Sequence, residues 1–241
     1  MTQYDEIGAA YEKVKEIPIV EFAERPNVLR ALKNVQGKSV LDLACGTGYY
    51  TRIIRQLGAT EVVGVDISGE MIKRAIEIET GSPLGITYQI MDATELPALG
   101  RFDWVNAIYL LNYAPNEEVL QKMLKSIYQN LALGGEFFAW TMNPDFSLDG
   151  VNNTKYGTTF TPVRRFDEGS EEIAELHTDP PISVTIYRLT REVYERAILA
   201  AGFRGFSWAP MVLSDDVIAQ FPTGYWDDLL ANPSVTGLSA R

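Results

Sequence analysis

A glycine-rich segment and an acidic residue downstream of it are the first residues whose types and spacing suggest chemistry. The segment runs from Asp42 to Gly48 (DLACGTG), and Asp66 follows Gly48 by 18 residues. The glycines Gly46 and Gly48 leave bare backbone, against which a bulky polar cofactor can lie. The Asp66 carboxylate can accept hydrogen bonds from both hydroxyls of a ribose. Together they indicate a nucleoside-binding turn.

A third polar signal follows a third apolar run of the chain. Asp92 and Ala93 stand at the end of this run, where a carboxylate suits the amino group of an adenine. Each signal has a plainer interpretation when it stands alone, since a glycine pair can close an ordinary strand-to-helix turn and Asp66 can simply begin a helix. Three such signals in chain order favour a nucleoside site.

Two residues distinguish between the nucleoside cofactors that such a turn can bind. A dinucleotide fold usually has a third glycine three residues after the second, but Thr51 occupies that position. Asp42 would lie unfavourably close to two phosphates, whereas its charge would attract an ammonium and a sulfonium. The sequence therefore favours S-adenosylmethionine over a nicotinamide dinucleotide.

Apolar runs and helical stripes alternate along most of the chain. Helices are predicted at 50–57, from a Ser68 cap, from an Asn116 cap to Gly134-Gly135, and from a Thr190 cap to Gly202. Strands are predicted at 39–43, 61–65, 86–90, 102–110, 136–140, 203–208 and 234–239. This alternation predicts an α/β fold, a doubly wound and mostly parallel seven-stranded sheet with the cofactor at the carboxyl ends of its strands.

Two stretches do not follow the alternation. Residues 1–35 predict short helices that precede the sheet, and residues 143–189 predict a β-rich insertion with antiparallel strands near 172–177 and 182–189. We interpret the whole of 1–241 as a single domain, in which 1–35 forms an N-terminal lid and 143–189 lies over the active site.

Charge and composition exclude several classes of function. The net charge of −11, without a Lys/Arg-rich run, disfavours nucleic acid as a partner. A single cysteine (Cys45) and a single histidine (His177) disfavour a disulfide or a zinc site, so no metal is expected. Neither an export signal nor a membrane span is visible. We expect a cytoplasmic monomer or homodimer that acts on a small-molecule acceptor.

Several motifs together resemble the class I S-adenosylmethionine-dependent methyltransferase family. VLDLACGTG, VVGVDIS and MDATEL are similar to its glycine-rich, ribose and adenine motifs, and FDWVNAIYLLNYA and LALGGEFF to its fourth-strand and fifth-strand segments. The resemblance implies a Rossmann-like methyltransferase fold with an antiparallel last strand. It also implies contacts of Asp42, Ala44, Gly46 and Gly48 with the methionine part, of Asp66 with the ribose, of Ile67 and Met71 with the adenine face, of Asp92 and Ala93 with the adenine edge, and of Tyr109 near the sulfonium.

The first and last segments have a narrower resemblance. YDEIGAAYEKVK, LLNYA and WDDLLANPSVTGLSAR are similar to small-molecule N-methyltransferases of bacterial specialised metabolism, such as the azapteridine enzymes of toxoflavin biosynthesis. In such enzymes the N-terminal helix acts as a lid, which implies that Tyr4 and Tyr11 close over the cofactor. The alternative is that both tyrosines pack in the core.

Residues near the acceptor are less defined by the sequence. Tyr113 and Trp140 follow predicted strands and either face the acceptor pocket or pack in the core. His177, like Tyr11, is a candidate catalytic residue, although a solvated hairpin histidine is the favoured interpretation. We predict methyl transfer to a nitrogen of a heterocycle or amine. O-methylation of a phenol or carboxylate, a nicotinamide oxidoreductase and a non-catalytic cofactor-binding protein are the alternatives.

Overall fold

The structure is a computed structural model that describes residues 3–4, 8–150 and 153–241, with side chains described from residue 12 onward in the first helical segment. Strands account for much of the described chain. In order they are β1 (Ser39–Leu43), β2 (Glu61–Asp66), β3 (Thr87–Ile90), β4 (Phe102–Ile108), β5 (Leu131–Met142), β6 (Thr158–Phe166), β7 (Gly169–Leu176), β8 (Ile182–Leu189), β9 (Phe206–Ala209) and β10 (Val235–Ala240).

Seven of these strands form one twisted sheet, in the order β3-β2-β1-β4-β5-β10-β9. Strand β1 pairs in parallel with β2 (Val40 opposite Val62) and with β4 (Leu41 opposite Val105). Strand β10 is antiparallel to both of its neighbours, β5 and β9. The predicted fold class, including the antiparallel last strand, is confirmed.

The helices cover both faces of this sheet. They are α1 (Arg25–Leu32), α2 (Tyr49–Gln56), α3 (Gly69–Gly81), α4 (Glu117–Asn130), α5 (Arg191–Ala201), α6 (Asp215–Ile218) and α7 (Asp227–Ala231). A 3₁₀ helix (Gly8–Glu16) and a π-helical turn (Ile19–Glu24) precede α1, with a bend at Ile17 between them and no break between the π-helical turn and α1. None of the helices in the described residues is both long and apolar enough to cross a membrane.

Successive residues of the central strands point into two separate cores. On one face, Val40 of β1 packs with the N-terminal segment, α2 and α3, and on the other face Leu41 packs with α4 and α5. Successive side chains of a strand point to opposite faces of the sheet. Because both faces of this sheet are covered, most residues of β1 are apolar and buried. The carboxyl ends of β1, β2 and β4 are thereby held at one edge.

The boundary between α4 and β5 differs from the prediction. Helix α4 ends at Asn130, not at Gly134-Gly135, and β5 begins at Leu131. The Asn130 side chain accepts the Leu99 N–H at 2.8 Å and donates to the Ser126 carbonyl at 2.9 Å, which ends the helix before the glycines. The predicted strand start at residue 136 is therefore wrong, because side-chain capping ended the helix a turn earlier than the glycine signal did.

The insertion contains one strand more than predicted. Strands β6, β7 and β8 form a three-stranded antiparallel sheet, whereas the sequence predicted only the last two. Strand β6 lies at the edge, and five consecutive residues of it, 161–165, are exposed. Its proline and paired arginines suit an exposed edge strand and conceal the alternation that a half-buried strand would show.

The predicted helix caps provide a direct test of the local sequence signals. The Asn116 side chain accepts the Val119 N–H at 3.0 Å and so satisfies one of the free donors at the start of α4. We expect Asn116→Ala to lower the free energy of unfolding by about 1 kcal/mol. Urea denaturation measures this, and Asn116→Asp, which keeps a capping oxygen, is the matched control. Equal losses in both variants would contradict the capping role.

Candidate active site

The glycine-rich turn leaves β1 with a backbone that few residue types can adopt. Gly46 has φ 54° and Gly48, the residue before α2, has φ 81°. A β-carbon at Gly48 would lie 2.3 Å from the Tyr88 hydroxyl, whereas one at Gly46 would meet no atom within 4 Å. The left-handed φ of Gly48 therefore favours glycine at that position, and Gly46 faces open space in which a ligand can lie.

Asp66 connects this turn to the end of β2. Its carboxylate accepts the Gly46 N–H at 2.8 Å and the Ser68 N–H at 2.9 Å, and the residue is 9% exposed. Each carboxylate oxygen has lone pairs beyond these two bonds. Asp66 thus fixes the turn and can still accept hydrogen bonds from a ligand.

A cavity of about 550 Å³, here called the turn cavity, lies against the turn. It brings together seven of the predicted site residues with others from the N-terminal segment and α2. The lining residues are Tyr4, Lys15, Ala44, Cys45, Gly46, Thr47, Tyr49, Tyr50, Asp66, Met71, Ile108, Tyr109 and Tyr113. The glycine turn and Asp66 thus border one space.

A wider cleft of about 1220 Å³, here called the β3 cleft, continues from the other side of Asp66. Ile67, Asp92 and Ala93, three of the residues predicted to contact an adenine, line it, whereas the fourth, Met71, lines the turn cavity, and Asp66 belongs to both spaces. The Asp92 carboxylate accepts the Thr94 N–H at 2.7 Å, which orients this exposed side chain. The two spaces form an elongated site with Asp66 at its middle.

Asp42 lies behind the turn and does not line any of these spaces. It is 2% exposed, and its carboxylate accepts hydrogen bonds from the Thr51 hydroxyl at 2.6 Å and the Asn106 amide at 2.7 Å. Burial raises the pKa of Asp42 to about 6, against the opposing effect of those two hydrogen bonds. The nearby charge of Asp66 also raises this pKa.

Glu24 is a buried acid of the site that sequence reasoning missed. It is completely buried, accepts hydrogen bonds from the hydroxyls of Tyr50 at 2.8 Å and Tyr109 at 2.6 Å, and lies 3.9 Å from the Lys15 ammonium. The signal available was an acid that directly follows the mostly apolar segment IPIVEFA, which spans residues 17–23. Glu24 ties the N-terminal segment to the loop after β4.

Tyr109 and Tyr113 lie at the inner end of the turn cavity. Tyr109 has φ 58°, an uncommon conformation for an aromatic residue, and its N–H donates to the Trp140 carbonyl at 2.8 Å. The hydroxyls of Tyr113 and Tyr4 form a hydrogen bond, and their rings pack edge to face at 5.8 Å. Burial raises the pKa of Tyr113 to about 12, so its hydroxyl stays protonated at neutral pH.

Two other predicted site residues, Trp140 and His177, do not line these cavities. Trp140 is 1% exposed and packs in the core beneath the N-terminal segment, without lining a described cavity. His177 follows β7, where its ring forms a hydrogen bond with the Thr159 hydroxyl at 2.9 Å, and it is not among the residues that line the cavities. The Tyr11 side chain lies outside the described residues. The residues that are described contain no cluster of His, Cys, Asp and Glu able to hold a metal ion.

A second cavity, here called the insertion chamber, lies between the turn cavity and the inner face of the β6-β7-β8 sheet. Its volume is about 520 Å³, and it shares Tyr4, Tyr109 and Tyr113 with the turn cavity. The remaining lining residues are Val14, Ile19, Val20, Asn112, Met142, Thr158, Phe160, Ala174, Leu176, Val184, Ile186, Ser234 and Val235. Three tyrosines thus separate two adjoining cavities.

Comparison with known proteins identifies the central domain and the fold. A family profile described as a methyltransferase domain matches residues 40–135, which span β1 to the first part of β5. An S-adenosylmethionine-dependent methyltransferase from Mesorhizobium loti has the same fold, with a TM-score of 0.67 at 23% identity over 95% of this chain and 99% of that one. Residues 40–135 thus form a methyltransferase domain, and the chain has the class I S-adenosylmethionine-dependent methyltransferase fold. The glycine turn, Asp66, Asp92 and Tyr109 all lie within the matched segment.

The curated relatives of this chain differ among themselves in what they modify. A ubiquinone biosynthesis O-methyltransferase from Coxiella burnetii is 34% identical over 46% of this chain and 47% of its own length. A tRNA U34 carboxymethyltransferase from Campylobacter hominis is 31% identical over 48% of this chain and 40% of its own. The chain thus spans about half or less of the length of these two relatives. The profile match ends before the insertion, which forms one wall of the chamber.

Proposed function

We propose that this protein transfers a methyl group from S-adenosylmethionine to a neutral nitrogen of a small-molecule acceptor bound in the insertion chamber. The observation that carries the proposal is the pair of adjoining cavities separated by Tyr4, Tyr109 and Tyr113. A transferase needs two substrates held in contact, and two adjoining cavities that meet at one wall provide that arrangement.

The residues of the elongated site fit the cofactor. The open space at Gly46 and the Asp66 carboxylate suit an amino acid and a ribose, while Ile67 and Met71 offer apolar contact to a base and Asp92 a hydrogen-bond acceptor. When bound, S-adenosylmethionine supplies a sulfonium-activated methyl group, which the acceptor takes with its lone pair, and S-adenosylhomocysteine is released. Tyr109 lies where the two cavities meet, and we propose that it orients the reacting groups.

The chemistry of the chamber favours nitrogen as the acceptor atom. Apart from three tyrosines, none of its described lining residues is ionisable, so it offers neither a base for a phenol nor a cation for a carboxylate. Tyr113 cannot act as a base at neutral pH, because burial raises its pKa to about 12. A neutral ring nitrogen or amine needs neither kind of assistance during attack. The −11 net charge further favours a small molecule over nucleic acid.

The N-terminal segment and the insertion are proposed to act as the cover of this site. Gln3 exchanges hydrogen bonds with the backbone of Thr185 in β8, at 2.9 and 3.3 Å. Glu12 accepts a hydrogen bond from Thr47 of the glycine turn. These contacts connect residues 1–35 to both the insertion and the cofactor turn. Opening of this segment would admit the substrates, and its closure would exclude water.

The first experiment measures cofactor class and acceptor together. Purified protein is titrated by calorimetry with S-adenosylmethionine, S-adenosylhomocysteine and NADH, and is then incubated with matched nitrogen heterocycles and phenols while S-adenosylhomocysteine release is followed. We expect binding of the first two ligands only, and turnover with heterocycles. Binding of NADH alone would overturn the cofactor assignment. Turnover with phenols alone would point to O-methylation, as in the Coxiella relative, and binding without turnover to a non-catalytic role.

A further inference from the structure

Three polar side chains of the insertion chamber are buried without hydrogen-bond partners among the described residues. Both amide atoms of Asn112, the Thr158 hydroxyl and the Ser234 hydroxyl are buried, and none makes a hydrogen bond within the described part of the chain. All three residues line the chamber. Asn112 lies close enough to the Tyr113 hydroxyl to lower its pKa, but neither amide atom reaches it with hydrogen-bond geometry.

Buried polar groups in proteins are nearly always hydrogen-bonded, so each exception requires a cause. Asn130 shows what a structural asparagine looks like in this fold. It is also completely buried, but its oxygen accepts the Leu99 N–H and its nitrogen donates to two carbonyls, at 3.1 and 2.9 Å. The contrast indicates that the Asn112 amide is directed toward a ligand.

The three residues come from distant parts of the chain and converge on an otherwise apolar space. Asn112 lies in the 3₁₀ turn after β4, Thr158 begins β6, and Ser234 precedes β10. The other residues that the chamber does not share with the turn cavity are aliphatic, Met142 or Phe160. A carboxamide presents an NH₂ donor group and a carbonyl acceptor side by side. A hydroxyl can donate or accept a hydrogen bond.

We propose that the acceptor is a neutral, planar heterocycle with a lactam edge, that is, a ring carbonyl next to a ring N–H. The lactam edge pairs with Asn112 through two antiparallel hydrogen bonds, while Thr158 and Ser234 bind further polar atoms of the ring system. The apolar wall contacts the ring faces. This inference rests on the proposed function, because it names the substrate class of the same acceptor site.

Binding of a matched ligand pair tests the lactam edge. Protein saturated with S-adenosylhomocysteine is titrated with quinazolin-4-one and with quinazoline, which has the same two rings without the lactam. We expect the lactam to bind at least about tenfold more tightly, which corresponds to two good hydrogen bonds. Asn112→Leu should abolish this difference and leave S-adenosylhomocysteine affinity unchanged, and Thr158→Val should reduce the difference partially. Equal affinities, no binding of either ring, or a difference that survives Asn112→Leu would overturn the inference.

Thermal stability provides a second test that needs no ligand. Asn112→Leu removes two unpaired buried polar groups, so we expect the melting temperature to rise by about 2–4 °C. Asn130→Leu, the matched control, removes three satisfied hydrogen bonds and should lower it. A lower melting temperature in Asn112→Leu would show a structural role and overturn the inference. Failure of S-adenosylhomocysteine to bind the unaltered protein would instead overturn the proposed function, and the thermal test would still decide the role of Asn112.

Discussion

Asp66→Ala is expected to raise the dissociation constant of S-adenosylhomocysteine by about one to two orders of magnitude, because two charge-assisted hydrogen bonds to the ribose are lost. The structure adds a second reason. The N–H groups of Gly46 and Ser68 both donate to this carboxylate, so its removal also loosens the turn that faces the cofactor. Calorimetric titration of both proteins with S-adenosylhomocysteine measures the effect.

A matched control separates loss of the ligand contact from a general loss of stability. Asp103 also accepts two local hydrogen bonds, from the N–H and the hydroxyl of Ser39, both at 2.9 Å, but it lies at the opposite end of β4 from the cavities. Asp103→Ala should leave cofactor affinity unchanged. If Asp66→Ala binds S-adenosylhomocysteine as tightly as the unaltered protein does, the assignment of Asp66 to the ribose is wrong.

The parts of the fold that the sequence predicted correctly are those specified by neighbouring residues. Strand β1 begins and ends as predicted, and the caps Ser68, Asn116 and Thr190 each accept the expected backbone hydrogen bond. Apolar runs bounded by turns, and polar caps three residues before the N–H they bind, are signals that local sequence contains. The parallel pairing of the first five strands was predicted from their alternation with helices.

What the sequence could not supply depends on contacts between distant residues. Glu24 meets Tyr109 across 85 positions of the chain, and the chamber joins Asn112 to Ser234. Local periodicity also could not decide which side of β5 Trp140 occupies, and the structure places it in the core. The proposed acceptor site is formed mainly by the insertion and the N-terminal segment, so its chemistry depends on contacts that only the folded chain makes.

The pH dependence of stability is expected to reveal Asp42. In the unfolded chain its pKa is near the usual 3.8, whereas burial raises it to about 6 in the folded protein. Between about pH 4 and 6 the folded state therefore holds a proton that the unfolded state has lost, so the free energy of unfolding falls as the pH rises through this range. Since one pKa unit is 1.36 kcal/mol, the shift costs about 3 kcal/mol above pH 6.

Asp42→Asn should restore part of the stability that is lost by burying this charge. We expect the free energy of unfolding to rise by about 1–3 kcal/mol at pH 8 and to change little at pH 4, as measured by urea denaturation at both values. The amide can still bond to Thr51, and Asn106 has an unpaired side-chain oxygen ready to accept its N–H. An equal change at both pH values would show that the buried charge is not the cause.

The ionised form of Asp42 is expected to contribute to cofactor binding, and this contribution can be measured. A cationic cofactor near the turn stabilises the ionised form of Asp42, so binding near pH 6 should release a proton and weaken on the order of tenfold when Asp42 is protonated. Calorimetry of S-adenosylmethionine binding in buffers of different ionisation enthalpy counts this proton. Asp42→Asn should abolish the release, whereas His177→Asn, which removes the chain's single histidine, should not. The opposite pattern would assign the proton to His177. It would also show that the charge of Asp42 does not contribute to cofactor binding.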